Sequence, residues 1–159
     1  MTKRALGIYL RQAREAAQLS KTMVAIRCGI QNADVYNWEC GRTKPPAYIL
    51  KKLAEAYNID LDELIEKWQL GYPSYQKTTG YAILRGILDK DLKPGSLKPT
   101  LGFDYNQSLQ YIRNYKVLKQ PWSVDRLCDA LEFDREEYMS RAEFTLQMNE
   151  QRKAAREHE

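Results

Sequence analysis

The sequence predicts an all-α chain built as two helical modules with a basic, Gly- and Pro-containing segment between them. Three observations carry this prediction. Residues 20 to 45 hold two short apolar-patterned stretches with helix caps and an intervening glycine. Residues 71–103 change texture, with five Gly and three Pro among scattered Lys. Residues 105–148 return to apolar residues at helical spacing.

The first of these signals is the sharpest. Ser20 is a good N-cap, Met23, Val24 and Ile26 follow at helical spacing, and Gly29 can take the positive φ of a tight turn. Asn32 can cap a second helix that carries Val35 and Trp38 on its inner side, and Gly41 ends it. Two helices of about eight residues with a short Gly-containing turn make a helix-turn-helix. The outward positions of the second helix are Gln31, Asn32, Ala33, Tyr36 and Asn37. Amides there can bond adenine N6 and N7, and an alanine methyl can touch the thymine methyl. Asp34 stands in the first turn, where a carboxylate suits the helix dipole but repels phosphate. Capping is the better role for it than accepting from cytosine N4.

From Ala5 to Trp68 the chain resembles the Cro/C1-type helix-turn-helix family, the phage-repressor-like (lambda-repressor-like) and xenobiotic-response-element regulators. The matching pieces are LGIYLRQAREAAQLS, AIRCGI, VYNWECGRTKPP, LKKLAEAYNI and DLDELI, about two fifths of the chain. The resemblance implies five short helices, at roughly Lys3–Gln18, Ser20–Cys28, Asn32–Cys40, Ala47–Tyr57 and Asp60–Gln69. It implies base contacts at or near Gln31, Asn32, Ala33 and Asn37, with Tyr36 beside them. Lys21 replaces a frequent family glutamine, which implies a phosphate contact instead of base reading. Arg42 and Lys44 fall where the family grips phosphate. Arg14 and Glu39 match an ion pair that ties the first helix to the third in relatives, a structural role. The family mostly binds operators as dimers.

Composition narrows the function classes. The chain has 159 residues, 43% of them apolar, enough for one ordinary domain or two small ones. It contains no run of 18 apolar residues and no secretory signal, so a cytoplasmic, nucleoid-associated protein without a membrane partner is expected. Cys28, Cys40 and Cys128 match no metal spacing. Cys28 and Cys128 fall on inward helix faces, and a redox role for Cys40 is the lesser reading. The only His is His158, in the tail, and no nucleophile–base pair, phosphate loop or metalloprotease motif is present. An enzyme, a cofactor and a metal are therefore not expected. Net charge is +4 but uneven. Residues 1–45 carry eight Lys/Arg against three Asp/Glu, and residues 72–121 the same balance; residues 122–159 carry six against ten. Basic charge gathered on the motif is the footprint of a nucleic-acid binder.

The remaining chain divides into a linker at 71–104, a helical module at 105–148 and a charged, fraying tail at 149–159. In the linker, Tyr72-Pro73, Lys93-Pro94-Gly95 and Lys98-Pro99 read as turns, and Tyr81–Leu88 as a short helix or a strand, the helix preferred. Lys77, Arg85, Lys90, Lys93 and Lys98 can follow a phosphate backbone or simply be solvated. The C-terminal module reads either as a degenerate helix-turn-helix copy or as two ordinary amphipathic helices that repeat by chance, the copy preferred. Leu53–Leu64 aligns without gaps to Leu127–Tyr138. In another register Asn106–Leu118, Ser123–Leu131 and Asp134–Phe144 are its first three helices, with Glu132 in place of the turn glycine. Asp134, Glu136 and Glu137 would then face phosphates, so this copy is not expected to read DNA. Tyr138, Met139, Ala142 and Leu146 form an apolar stripe on a pattern running from Arg135 to the end.

The expected protein is a sequence-specific double-stranded DNA-binding transcriptional regulator, a repressor, working as a homodimer. An adaptor that keeps the fold but recruits a protein partner, through the acidic C-terminal module for instance, is the first alternative. A nonspecific architectural DNA binder using the basic middle segment is the second.

Overall fold

A computed structural model describes residues 2–70, 72 and 74–159; Gly71 and Pro73, which contribute to the linker and its first turn signal, lie outside the described residues. The described residues form α-helices and short 3-10 turns, without strands, in two compact units, 1–73 and 74–159.

The first unit holds α1 (Lys3–Ala16), α2 (Lys21–Cys28), α3 (Asn32–Glu39), α4 (Leu50–Tyr57) and α5 (Leu61–Trp68). Three of the starts have a side-chain cap. Thr2, Ser20 and Asp60 accept the backbone N–H three residues on, which satisfies an otherwise orphan donor of α1, α2 and α5. The core gathers Leu6 and Leu10 of α1, Val24, Val35, Leu50, Leu53, Leu64, Ile65 and Trp68, all 2% exposed or less. The Trp68 indole N–H donates to the Pro45 carbonyl at 2.7 Å, so this buried polar group has its partner. Of the apolar residues at helical spacing in α2, Val24 is buried while Met23 and Ile26 are 42% and 70% exposed. The inner stripe of α2 is Val24, Ala25 and Cys28, a spacing that turns residues 23 and 26 to solvent.

The second unit holds α6 (Thr79–Asp89), α7 (Leu97–Leu101), α8 (Tyr105–Ile112), α9 (Pro121–Leu131) and α10 (Arg135–Glu157). This corrects the linker at 71–104: residues 79–101 carry two helices whose Ile83, Leu84, Leu97 and Leu101 are buried. Thr78 caps α6, and its hydroxyl oxygen accepts from both Tyr81 N–H and the Asn114 amide. The tail at 149–159 is corrected as well. Helix α10 continues to Glu157, and the Asn149 amide donates to Asn114 O at 2.9 Å. Of the expected apolar stripe, Tyr138 and Ala142 are buried, with Thr145 completing the inner face, while Met139 is 45% exposed.

The second unit repeats the first in backbone. Residues at positive φ recur 73 residues apart: Gln18 and Asp91, Gly29 and Gly102, Gly41 and Asn114. The helix-ending bonds keep that interval. Leu19 N–H donates to Arg14 O and Leu92 N–H to Ile87 O; Arg42 and Thr43 N–H donate to Asn37 O, and Tyr115 and Lys116 N–H to Gln110 O. One extra residue follows, so Asn58 pairs with Glu132, both left-handed, and Asp60 with Asp134, both N-caps. Most of the packing matches too: α1 lies on α3 and α6 on α8, α2 on α4 and α7 on α9, α4 on α5 and α9 on α10, but the close α2–α3 packing has no comparable counterpart between the shorter α7 and α8.

The gapless pairing of Leu53–Leu64 with Leu127–Tyr138 is the register the backbone follows. The other register is overturned. Helix α8 stops at Ile112 because Asn114 turns left-handed at φ 63, so Asn106–Leu118 is not one helix. The turn glycine of this copy is Gly102, and Glu132 matches Asn58. Asp134, Glu136 and Glu137 thus begin the fifth helix, and the third helix of the copy is α8.

Candidate nucleic-acid interface

The geometry of α2, the turn and α3 follows from a few residues. Gly29, at φ 65 and ψ 37, caps α2 in the left-handed region and redirects the chain within two residues. Gln31, one residue earlier than expected, is the N-cap of α3; Asn32 is its first helical residue. The Asp34 carboxylate accepts the Gln31 backbone N–H at 3.1 Å, so capping is its role. The Asn32 amide donates to the Thr22 hydroxyl at 3.1 Å and ties the start of α3 to the start of α2. Thr22 is a contributor that the sequence pattern did not single out, since a hydroxyl in the first turn of a helix has no fixed partner.

Helix α3 is held from behind. Val35 and Trp38 are buried. Gly7 of α1 lets the two helices touch at the backbone: a Cβ there would stand 2.6 Å from Trp38 O and closer still to Glu39 O. Arg14 and Glu39 form a two-bonded pair, Nε to Oε1 and Nη2 to Oε2, with Arg14 Nη1 also donating to Leu19 O. Their side chains are 11% and 5% exposed, and the hydrogen bond to Glu39 pushes the guanidinium pKa up from its already high value. Burial also holds the neighbouring Tyr57 phenol well above its ordinary range, with the Glu39 charge adding to it.

The outward side of α3 presents Gln31, Asn32, Ala33 and Tyr36, all exposed, with Asn37 half-buried. Two cations flank this side. The Lys21 ammonium lies 5.1 Å from the Tyr36 ring centroid and the Arg42 guanidinium 5.5 Å from it, within cation–π range. Lys21, Tyr36 and Arg42 are therefore brought together over one edge of the helix. Lys44 is directed elsewhere, its ammonium 4.2 Å from the Trp68 ring centroid. Cys40 is exposed, whereas Cys28 and Cys128 are buried thiols whose pKa values burial pushes up.

A bundle of five short helices, with α2, a tight turn and α3 presenting a polar outward side flanked by two cations, defines the class: a helix-turn-helix module. Residues 5–67 match the family model described as helix-turn-helix domain. This match supports a helix-turn-helix DNA-binding regulator. Neither the curated proteins nor the solved structures gave a match. Among the described residues no helix is long and apolar enough to cross a membrane.

Proposed function

We propose that the chain is a sequence-specific double-stranded DNA-binding transcriptional regulator of the Cro/C1 kind, a repressor, which lays α3 in the major groove. One observation supports this above the rest: Lys21 and Arg42 bracket Tyr36 on the outward side of α3, while Val35 and Trp38 bury its inner side. In this reading Lys21 and Arg42 meet phosphates and fix the register. Gln31 and Asn37 bond base edges, Ala33 touches a thymine methyl, and Asn32 reads from a position braced by Thr22. Arg14 and Glu39 keep α3 at a fixed depth. The chain acts as a homodimer on a two-fold operator, because one module of this size covers little DNA.

Selection from a randomised duplex library at about 150 mM salt tests this, since nonspecific binding is weak there. A two-fold motif that blurs in Asn37→Ala is the expected result. Recovery of no motif would overturn the reading and favour the protein adaptor.

A further inference from the structure

The corrected register places a second candidate recognition helix in the chain. Helix α8 follows α7 through a turn with Gly102 left-handed at φ 81 where Gly29 stands in the first unit, although α7 does not pack on α8 as closely as α2 does on α3. Its inner side is buried through Ser108 and Ile112. Gly80 of α6 approaches its C-terminus as Gly7 approaches that of α3: an added Cβ would crowd Ile112 O and lie 2.6 Å from Asn114 Oδ1. Asp104 sits at the Gln31 position, and its carboxylate is engaged in the cap, accepting Gln107 N–H at 2.8 Å while Gln107 Oε1 accepts Asp104 N–H at 2.9 Å. The Asp34 carboxylate is likewise engaged in a cap, but from the third helical position, accepting the Gln31 N–H.

The outward amides are then Asn106, exposed at the Ala33 position, and Gln110, half-buried at the Asn37 position. Lys93, at the Ser20 position, precedes the 3-10 turn Pro94–Ser96 that leads into α7, and Lys116 stands one residue beyond the Arg42 position, which Tyr115 fills; both lysines are exposed. Residues 93–119 hold five Lys/Arg against the single, cap-bound Asp104. The acidic residues of this unit lie mostly later, in α9 and α10. Amides on α8 and exposed lysines in the chain on either side of it suit an anionic partner with hydrogen-bonding edges, which a duplex is.

We infer that α8 is a second recognition helix, through which the second unit binds double-stranded DNA with Asn106 and Gln110 on base edges and Lys93 and Lys116 on phosphates. This rests on the reading of α3 as the first such helix, and it gives one chain two unlike DNA-contacting faces. The selected motif then contains a second block of base preferences besides that of α3.

The test uses the full chain in three forms: wild type, Asn37→Ala, and the double variant Asn106→Ala with Gln110→Ala. Library selection from each should show the α8 variant without one block while the α3 block persists. Discrimination within the missing block should fall by about 5- to 150-fold for each amide that bonds a base edge through two atoms. A motif blurred by Asn37→Ala and untouched by the α8 variant overturns the second face and leaves the first standing. A motif that disappears only in the α8 variant supports the second face and overturns the reading of α3. A separate variant, Lys93→Gln with Lys116→Gln, guards against misfolding as the cause. It should flatten the salt dependence of affinity by about 1.8 in the log–log slope, and an unchanged slope counts against the proposal.

Discussion

Replacing Gly7 by Ala separates two effects of opposite sign. Gly7 lies inside α1, where alanine is intrinsically better by about 1 kcal/mol. A Cβ at this site, however, meets the backbone oxygens of Trp38 and Glu39, the former at 2.6 Å, and a backbone cannot rotate away as a side chain can. Ordinary contact needs roughly 3.4 Å or more, so α1 and α3 must part by about 1 Å. Overpacking of this kind costs about 1–3 kcal/mol. The displacement also strains the two-bonded Arg14–Glu39 contact across the same seam. We expect the propensity gain to be cancelled and a net loss of up to about 2 kcal/mol once it is subtracted. Urea unfolding followed by tryptophan fluorescence reads it locally, because Trp38 and Trp68 are buried in the first unit whereas Trp122 is 69% exposed. Gly95→Ala serves as the control, since nothing lies within 4 Å of its added Cβ. A Gly7→Ala protein more stable than wild type by the full propensity gain would refute the backbone contact between α1 and α3.

Further outcomes follow from the same geometry. Arg14→Met leaves the Glu39 carboxylate buried without its cation and should cost about 3–5 kcal/mol, whereas Arg14→Met with Glu39→Leu should recover most of that; equal losses would deny the pair its role. Glu132→Gly relieves a left-handed non-glycine residue worth about 1–2 kcal/mol and removes only an exposed bridge to Lys90, so the second unit should resist thermal unfolding better by about 1 kcal/mol. Tyr9 is held up to about 12 by burial and the charge of Glu63, and Tyr57 and Tyr138 are raised by burial. Their neutral forms are favoured by folding, so stability is intact below pH 10 and falls as pH rises beyond it. Tyrosinate absorbance should therefore lag the free-phenol curve until unfolding releases it abruptly.

The outward face of α3 was legible because helical periodicity alone decides which residues face away from Val35 and Trp38. Its cap was misplaced by one residue: Asn is the better capping type, but the turn set by Gly29 and the bond from Gln31 N–H to Asp34 make Gln31 the cap. The supposed linker failed for a sharper reason. Gly80 and Gly86 lower helix propensity, yet each is a point of close approach, Gly80 to the end of α8 and Gly86 to Leu131 and Phe133. Pro99 is likewise tolerated near the start of α7, where a missing N–H costs little. The repeat was visible only where side chains coincide, from Leu53 and from Leu127. Elsewhere the two units share turns made by different residues, such as Gln18 and Asp91 or Gly41 and Asn114, and residue identity does not report such an equivalence.

The backbone seams at Gly7 and Gly80 also separate holding from reading. What fixes the depth of α3 and α8 lies on their inner sides and at their ends, so most outward positions can change without moving either helix. Transplanting Asn106 and Gln110 onto the Ala33 and Asn37 positions should leave the first unit's stability within about 0.5 kcal/mol, as for ordinary surface changes. On the proposed reading, the two faces differ in their outward residues while sharing one kind of mount, so target preference is free to drift at one face at a time.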